Sequence, residues 1–353
     1  MKMSPKERVL TVFEHEEPDR VPVWCGASPE FWEKAKRMLG LDDEGLRRRI
    51  GDDFRRVYAR YVGPELTPRL PGAKSRTVFG VERSGLYYGQ AINHPLANAS
   101  LREIEEYPWP DPDWIDPSNI RDEAKKYREE YAILGGDWSP FWHDVMELLG
   151  MKNMLVKMYR EPEVVDAVFE QVVGYYLAVN KRILDEAADV IDILFIGNDF
   201  GTTQGPMISE RLFRRFVLPH LKKFADLAHS YGLKIMLHCC GGIAELIPAM
   251  IDAGIDCLQA VQPSCRGMDL RLLKAKFGDK IVFNGAIDTA WLIFGTPEFV
   301  RAKTREVLEI MMPGGGYIAS ASHDYILEET PVENVLAMFD TVHEYGRYEF
   351  FKA

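Results

Sequence analysis

Residues 234–246 read KIMLHCCGGIAEL: an apolar run that ends in His238, Cys239 and Cys240 and then turns through two glycines. In extended chain, residues two apart point to the same side. His238 and Cys240 therefore face one point, and Cys239 faces the other way, into packing. An imidazole with a thiolate is a good zinc pair, and a catalytic zinc takes three protein ligands and keeps one position open. His323 is the candidate third ligand, with Asp199 or Asp288 as the acidic alternative. The other reading of the same residues is an inert strand end, because a buried thiol commonly does no more than pack. Adjacent thiols are not a Cys-x-x-Cys arrangement, so disulfide exchange is disfavoured. No second compact ligand pair marks a closed structural zinc site.

Other polar residues fall where apolar runs end. Asp137 follows YAILGG; Asn198 and Asp199 follow VIDILFIG, with Gln204 just beyond. Gln259 and Gln262, then Asn284 and Asp288, then Ser320, Ser322, His323 and Asp324 end the later runs. Active sites of α/β proteins gather at the C-terminal ends of strands, so these residues are expected to line one rim. Taken singly, each has a plainer role. Asp199 and Asp288 would serve as helix caps, Asn284 and Gln259 as internal hydrogen-bond partners, and His323 as a loop histidine.

The elements that must position these groups alternate. From about residue 131, short strands that are apolar throughout are followed by helical stretches, the pattern of a parallel sheet buried on both faces. About five such units are clear, and one to three more are expected earlier. Count and length favour an α/β fold, a (β/α)8 TIM barrel with an N-terminal helical extension, over a doubly wound open sheet. One domain is expected over 1–353, with helices and a hairpin elaboration over 1–120 and the barrel core over 121–353. The first helix is marked by Ser4, Pro5 and Glu7 (a capping box), with Val9, Leu10 and Phe13 as its apolar stripe. The segment EPDRVPVW ends that helix and leads into a short extended run. VERSGLYYGQAINHPL reads as a hairpin with a loop. The helix after Ser209 is expected to kink at Pro219 and stop at Gly232, and Thr330 with Glu333 is a second candidate capping box.

Composition narrows the function. The 353 residues are 46% hydrophobic and 27% charged, with a formal net charge of -11. That acidity argues against a nucleic-acid surface. No apolar run approaches the roughly 20 residues that span a bilayer, and MKMSPKERVL lacks the apolar core of a signal peptide. Five cysteines, an odd number, do not form a disulfide framework, so a cytoplasmic setting is expected. Monomer and homodimer both remain open.

Several stretches together resemble the uroporphyrinogen decarboxylase superfamily: SPKERVLTVFEHEEPDRVPV, GNDFGTTQGPMIS, HCCGGIAELIPAMIDAGIDCLQAVQP, FNGAIDT, PGGGYIASASHDY and TPVENVLAMFD. The resemblance implies a (β/α)8 barrel with N-terminal helices. Decarboxylases of that family carry an arginine-rich R-Q-A-G-R-Y motif that grips substrate carboxylates. Here the matching stretch is PVWCGASPEFW, with no arginine between Arg20 and Arg37. The other branch resembles corrinoid-dependent methyltransferases, whose zinc is held by a His-x-Cys pair and a later cysteine. His238 and Cys240 match the pair, and His323 stands in the later cysteine's place. What the resemblance implies is methyl transfer between a small methyl donor or acceptor (an ether, alcohol or thiol, with O-demethylation among the options) and a corrinoid, or cobalamin. No D-x-H-x-x-G element is present, so that cofactor would come on a separate corrinoid protein. On this reading Asp199, Asp288 and Asn198 are candidate catalytic groups. Gln204, Asn284, Gln259, Trp142 and Asp137 are candidate substrate contacts, with Phe141 and Trp24 as further apolar walls. A cofactor-free decarboxylase using Asp199, or a corrinoid- or tetrapyrrole-binding protein without turnover, are the alternatives.

Overall fold

Seven parallel strands make one sheet in the computed structural model, which describes residues 3–85 and 89–351. They are β1 (Phe54–Arg56), β2 (Ala132–Gly135), β3 (Ile193–Gly197), β4 (Lys234–His238), β5 (Cys257–Val261), β6 (Val282–Ile287) and β7 (Tyr317–Ala321), paired in chain order. Side chains alternate across the sheet. Phe54, Leu134, Ile193, Phe195, Met236, Cys257, Val282 and Ile318 form an inner cluster with Trp24. Ile133, Leu194, Ile196, Ile235, Leu237, Leu258 and Phe283 belong to a larger cluster on the other face, beneath the helices. Fully burying one such Phe or Leu side chain contributes roughly 1.5–3 kcal/mol. This is the two-faced burial expected of strands that are apolar throughout.

The outer edges of the sheet are bridged by the extended run after EPDR. Trp24 N donates to Ala319 O (3.0 Å), Ala319 N to Pro22 O (2.8 Å), and Asp53 N to Val23 O (3.0 Å). Pro22 has no N–H to give, so beside β7 the run makes one parallel bridge, Val23 to Ala319. The buried Asp53 carboxylate fixes the run: it accepts from Val23 N (2.7 Å), Arg8 (2.6 Å) and Arg20 (2.9 Å). The parallel, curled sheet with helices outside it is a TIM-like arrangement.

Of the N-terminal helices, α1 (Pro5–Phe13) precedes the 21–24 run, and α2 (Pro29–Leu39) and α3 (Asp43–Ile50) lie between that run and β1. The Ser4–Glu7 box caps α1 as expected, and Val9, Val12 and Phe13, rather than Leu10, supply its buried stripe. That helix crosses the N-terminal ends of the strands: Lys6 pairs with Asp192 (2.7 Å) just before β3, and Glu14 with Lys234 (2.8 Å) at the start of β4. The stretch after Ser209 divides into two helices, Glu210–Phe216 and Leu218–Ser230, with Pro219 in the first turn of the second. Helix Val332–Tyr345 starts later than expected. Pro331 takes the cap position and makes no side-chain cap bond, so Thr330 forms no capping box. Glu82–Ser84 pairs antiparallel with Gln90–Ala91, as the hairpin reading requires, while residues 86–88 of its loop lie outside the described residues. No helix among the described residues is long and apolar enough to cross a membrane.

Candidate metal centre and strand-end site

The end of β4 delivers His238 beside the residues that follow β3. His238 Nε2 lies 3.3 Å from Asp199 Oδ1. The same oxygen accepts from Cys240 N (3.1 Å) and lies 3.1 Å from Cys240 Sγ. One ligand atom from each of Asp199, His238 and Cys240 falls within 4.8 Å of the others. Cys239 faces away, as the strand period requires: it is buried, and its sulfur accepts from Phe200 N (3.4 Å). The turn beyond is held close to the hairpin after Asp199. Gly241 has φ 96°, and a Cβ there would stand 2.7 Å from Gly201 C, so neither conformation nor space admits a side chain.

The charges reinforce one another. Burial alone would raise the Asp199 carboxyl, but hydrogen bonds from His143 and His238 hold it far below the usual carboxylate range. Burial alone would lower His238; the bond and charge of Asp199 push it up to about 9. Burial and then the Asp199 charge push the Cys240 thiol up. A divalent cation among the three would reverse that last effect, because a coordinated thiol is deprotonated. An oxygen, a nitrogen and a sulfur converging this closely are a donor set that zinc accepts.

A supporting chain fixes the imidazole. Gln259 Oε1 bonds His238 Nδ1, which leaves Nε2 directed at Asp199. Gln259 Nε2 donates to Asp324 Oδ1 (3.0 Å), and Trp24 Nε1 donates to that same oxygen (3.3 Å). On the other side His143 Nε2 lies 3.4 Å from Asp199 Oδ2, so both carboxylate oxygens are engaged. The Trp138 ring packs 5.3 Å from the His238 ring and 5.1 Å from Phe195. Gly197 leaves it room: a Cβ at 197 would stand 2.0 Å from the indole.

The remaining expected site residues are placed as follows. Asn198 accepts from Trp142 N (2.8 Å) and donates to Ser139 O (3.1 Å), which holds the loop after β2. Trp142 is fully buried in the outer core rather than at the mouth. Asp137 is spent on Ser139 N (2.8 Å), and Asp288 caps the next helix through Ala290 N (2.8 Å). Gln204 is exposed in the turn between Gly201–Thr202 and Gly205–Pro206. His323 stands 6.2 Å ring to ring from His238, and its Nδ1 accepts from Tyr325 N (3.1 Å); Asp199, not His323, completes the close trio. Asn284 is fully buried with neither amide atom hydrogen-bonded. His143, Trp138 and Arg56 were not expected from the sequence. Outside this site, a cleft of about 700 Å³ between α2, α3 and the end of β1 is bordered by Lys36, Arg47, Arg55 and Arg56. Most of its charges already pair: Lys36 with Asp43, Arg47 with Asp52, Arg55 with Glu44.

Comparison with known proteins adds the following. The family model for uroporphyrinogen decarboxylase (URO-D) matches residues 118–345. A methylcobamide:CoM methyltransferase of Methanosarcina mazei is 22% identical, over 97% of this chain and 98% of its own. A uroporphyrinogen decarboxylase of Alkalilimnicola ehrlichii is 23% identical, over 98% and 95%. A methylated-thiol–coenzyme M methyltransferase of M. mazei is 27% identical, over 54% and 47%. Among solved structures, a methyltransferase from M. mazei superimposes with a TM-score of 0.67 at 18% identity, covering 97% of this chain and 99% of that one. These relatives are enzymes, and the structural likeness supports the fold.

Proposed function

Because the chain belongs to the uroporphyrinogen decarboxylase family, we propose that it is a methyltransferase built on a (β/α)8 barrel whose eighth position is the 21–24 run. It moves a methyl group between a small substrate and the corrinoid of a separate protein. The convergence of Asp199, His238 and Cys240 carries this reading, with support from the methyltransferase relative that matches nearly end to end. Those three residues would hold zinc. When bound, zinc would supply a Lewis acid for the oxygen or sulfur that exchanges the methyl group.

The chain's own residues prepare that position. Gln259, tied to Asp324, keeps His238 Nδ1 occupied, so Nε2 is the atom presented to the cluster. His143 restrains Asp199 at its second oxygen, the kind of outer contact that sets a ligand's orientation. Trp138, packed on Phe195, forms an apolar wall beside His238. Asn284 offers a buried amide with both ends free to a polar group of the substrate. His323, whose Nδ1 is engaged by Tyr325 N, carries the proton of the exchanging heteroatom at Nε2.

Metal analysis of the purified protein tests the reading. About one zinc per chain is expected, lost in Cys240→Ser and Asp199→Asn. Added cob(I)alamin should convert to methylcobalamin with a member of a panel of methyl ethers and methylated thiols. The second reading, a cofactor-free decarboxylase, draws on the equally extensive likeness to the A. ehrlichii enzyme. A metal-free protein that releases CO2 from a carboxylic acid would establish it and sink the first.

A further inference from the structure

Two adjacent arginines on β1 have opposite fates. Arg55 is buried on the outer side, where it pairs with Glu44 (2.9 and 3.0 Å) and donates to the carbonyls of Asp52 (3.0 Å) and Phe54 (2.6 Å). Arg56 lies two residues beyond Phe54 and so shares its inner face. Its guanidinium carbon sits 4.8 Å from the Phe195 ring centre, 5.4 Å from Trp138 and 4.7 Å from Tyr58. Its Nε is buried without a hydrogen-bond partner. Among the described residues no carboxylate forms an ion pair with it; Asp137, close enough to feel its charge, is spent on Ser139 N (2.8 Å).

We propose that Arg56 is the anion anchor of the substrate, and that the substrate is a small carboxylate whose other end reaches the Asp199–His238–Cys240 cluster. The same indole, Trp138, lies 5.4 Å from the guanidinium and 5.3 Å from the His238 ring. The proposed substrate would run along that indole, its charged end at Arg56 and its other end at the cluster. A guanidinium presents a planar fork that matches a carboxylate bidentately. Three rings pack about the guanidinium, the Tyr58 ring on the exposed side, and with no ion pair made its charge is left to a ligand. Arg56 also borders the cleft described above, where Lys36, Arg47 and Arg55, by contrast, already have carboxylate partners.

The inference takes the methyl chemistry from the function proposed above, but its anchor is tested by binding alone. Titration calorimetry of the full-length protein would compare methoxyacetate and methoxybenzoate with their neutral amides. The acids should bind at least about tenfold tighter than the matched amides, about 1.4 kcal/mol. Arg56→Gln should abolish that preference, and Arg56→Lys should keep part of it, since the charge remains and the fork is lost. Should Arg56→Gln fail to fold, the partial preference in Arg56→Lys decides. Equal affinity for acid and amide, no binding by either acid, or a preference that survives in Arg56→Gln would overturn the proposal. Equal affinity for acid and amide in wild-type protein that still holds zinc sinks the anchor alone. An intact preference in a protein that neither holds zinc nor methylates cob(I)alamin sinks methyl transfer alone.

Discussion

Gly197→Ala should destabilise the protein, although alanine is ordinarily the better strand residue. The added Cβ would stand 2.0, 2.2 and 2.3 Å from three atoms of the Trp138 ring, and that ring cannot simply rotate away. It packs edge-on against Phe195 at 5.1 Å, lies 5.3 Å from His238 and carries the Arg56 guanidinium at 5.4 Å. Overpacking a well-filled site costs about 1–3 kcal/mol. Displacing the indole forfeits ring and cation contacts of roughly 0.5–1.5 kcal/mol each. Together these place the loss near 3 kcal/mol. Urea unfolding of the wild type, Gly197→Ala, Trp138→Ala and the double variant would measure it. Once the indole is gone the three atoms nearest the new methyl group are gone with it, so Gly197→Ala should then cost less than about 0.5 kcal/mol, outside the range expected for overpacking. The cycle should show a coupling of about 3 kcal/mol. A single variant as stable as wild type, or an equal cost in both backgrounds, would refute the steric argument.

Further outcomes are expected. In chelator-treated protein burial opposes the charged form of His238, yet Asp199, helped by Asp324 and Gln259, carries it from its ordinary 6.5 to about 9. The resulting stabilisation is complete below about pH 6.5 and lost as pH rises through about 9, an effect on the order of 1–2 kcal/mol after discounting for the partial exposure of Asp199. Unfolding free energies from pH 6 to 10 should show this decline in wild type and not in Asp199→Asn. Gln259→Leu, which removes the partner of His238 Nδ1, should weaken zinc binding by about 10–100-fold in competition titrations. Asp288→Ala should lose a helix cap worth about 1 kcal/mol in denaturant melts while leaving zinc stoichiometry unchanged. Asn284→Leu should be neutral or stabilising in melts of the free protein, because it removes two unpaired buried polar atoms. A marked loss of stability would show that the amide is already partnered.

Much of this was legible in the sequence where one strand period settled it. His238 and Cys240 converge and Cys239 turns away because alternation leaves no other choice. Asp199 was visible as an alternative third donor, but its rank over His323 depends on how β3 and β4 sit side by side, which spacing along one segment does not encode. His143 and Trp138 lie on a connection whose approach to the site is set by a missing side chain at Gly197. In FRRVY nothing distinguishes Arg55 from Arg56 until the three-residue strand gives each a side. The extended run after EPDR was legible, but its place beside β7 was not, since Pro22 has no N–H and the pairing with Ala319 joins segments far apart in the chain.

The bridge between Val23 and Ala319 also bears on how the chain acquires its structure. It joins segments nearly three hundred residues apart, the kind of distant contact that slows folding. Until β7 exists, β1 and its neighbour present an unpaired edge able to recruit other strands. The Asp53 carboxylate, gripped by Arg8 and Arg20, can hold the early run against β1 meanwhile. It would act as a placeholder during synthesis, keeping the seam ready for the last strand to arrive.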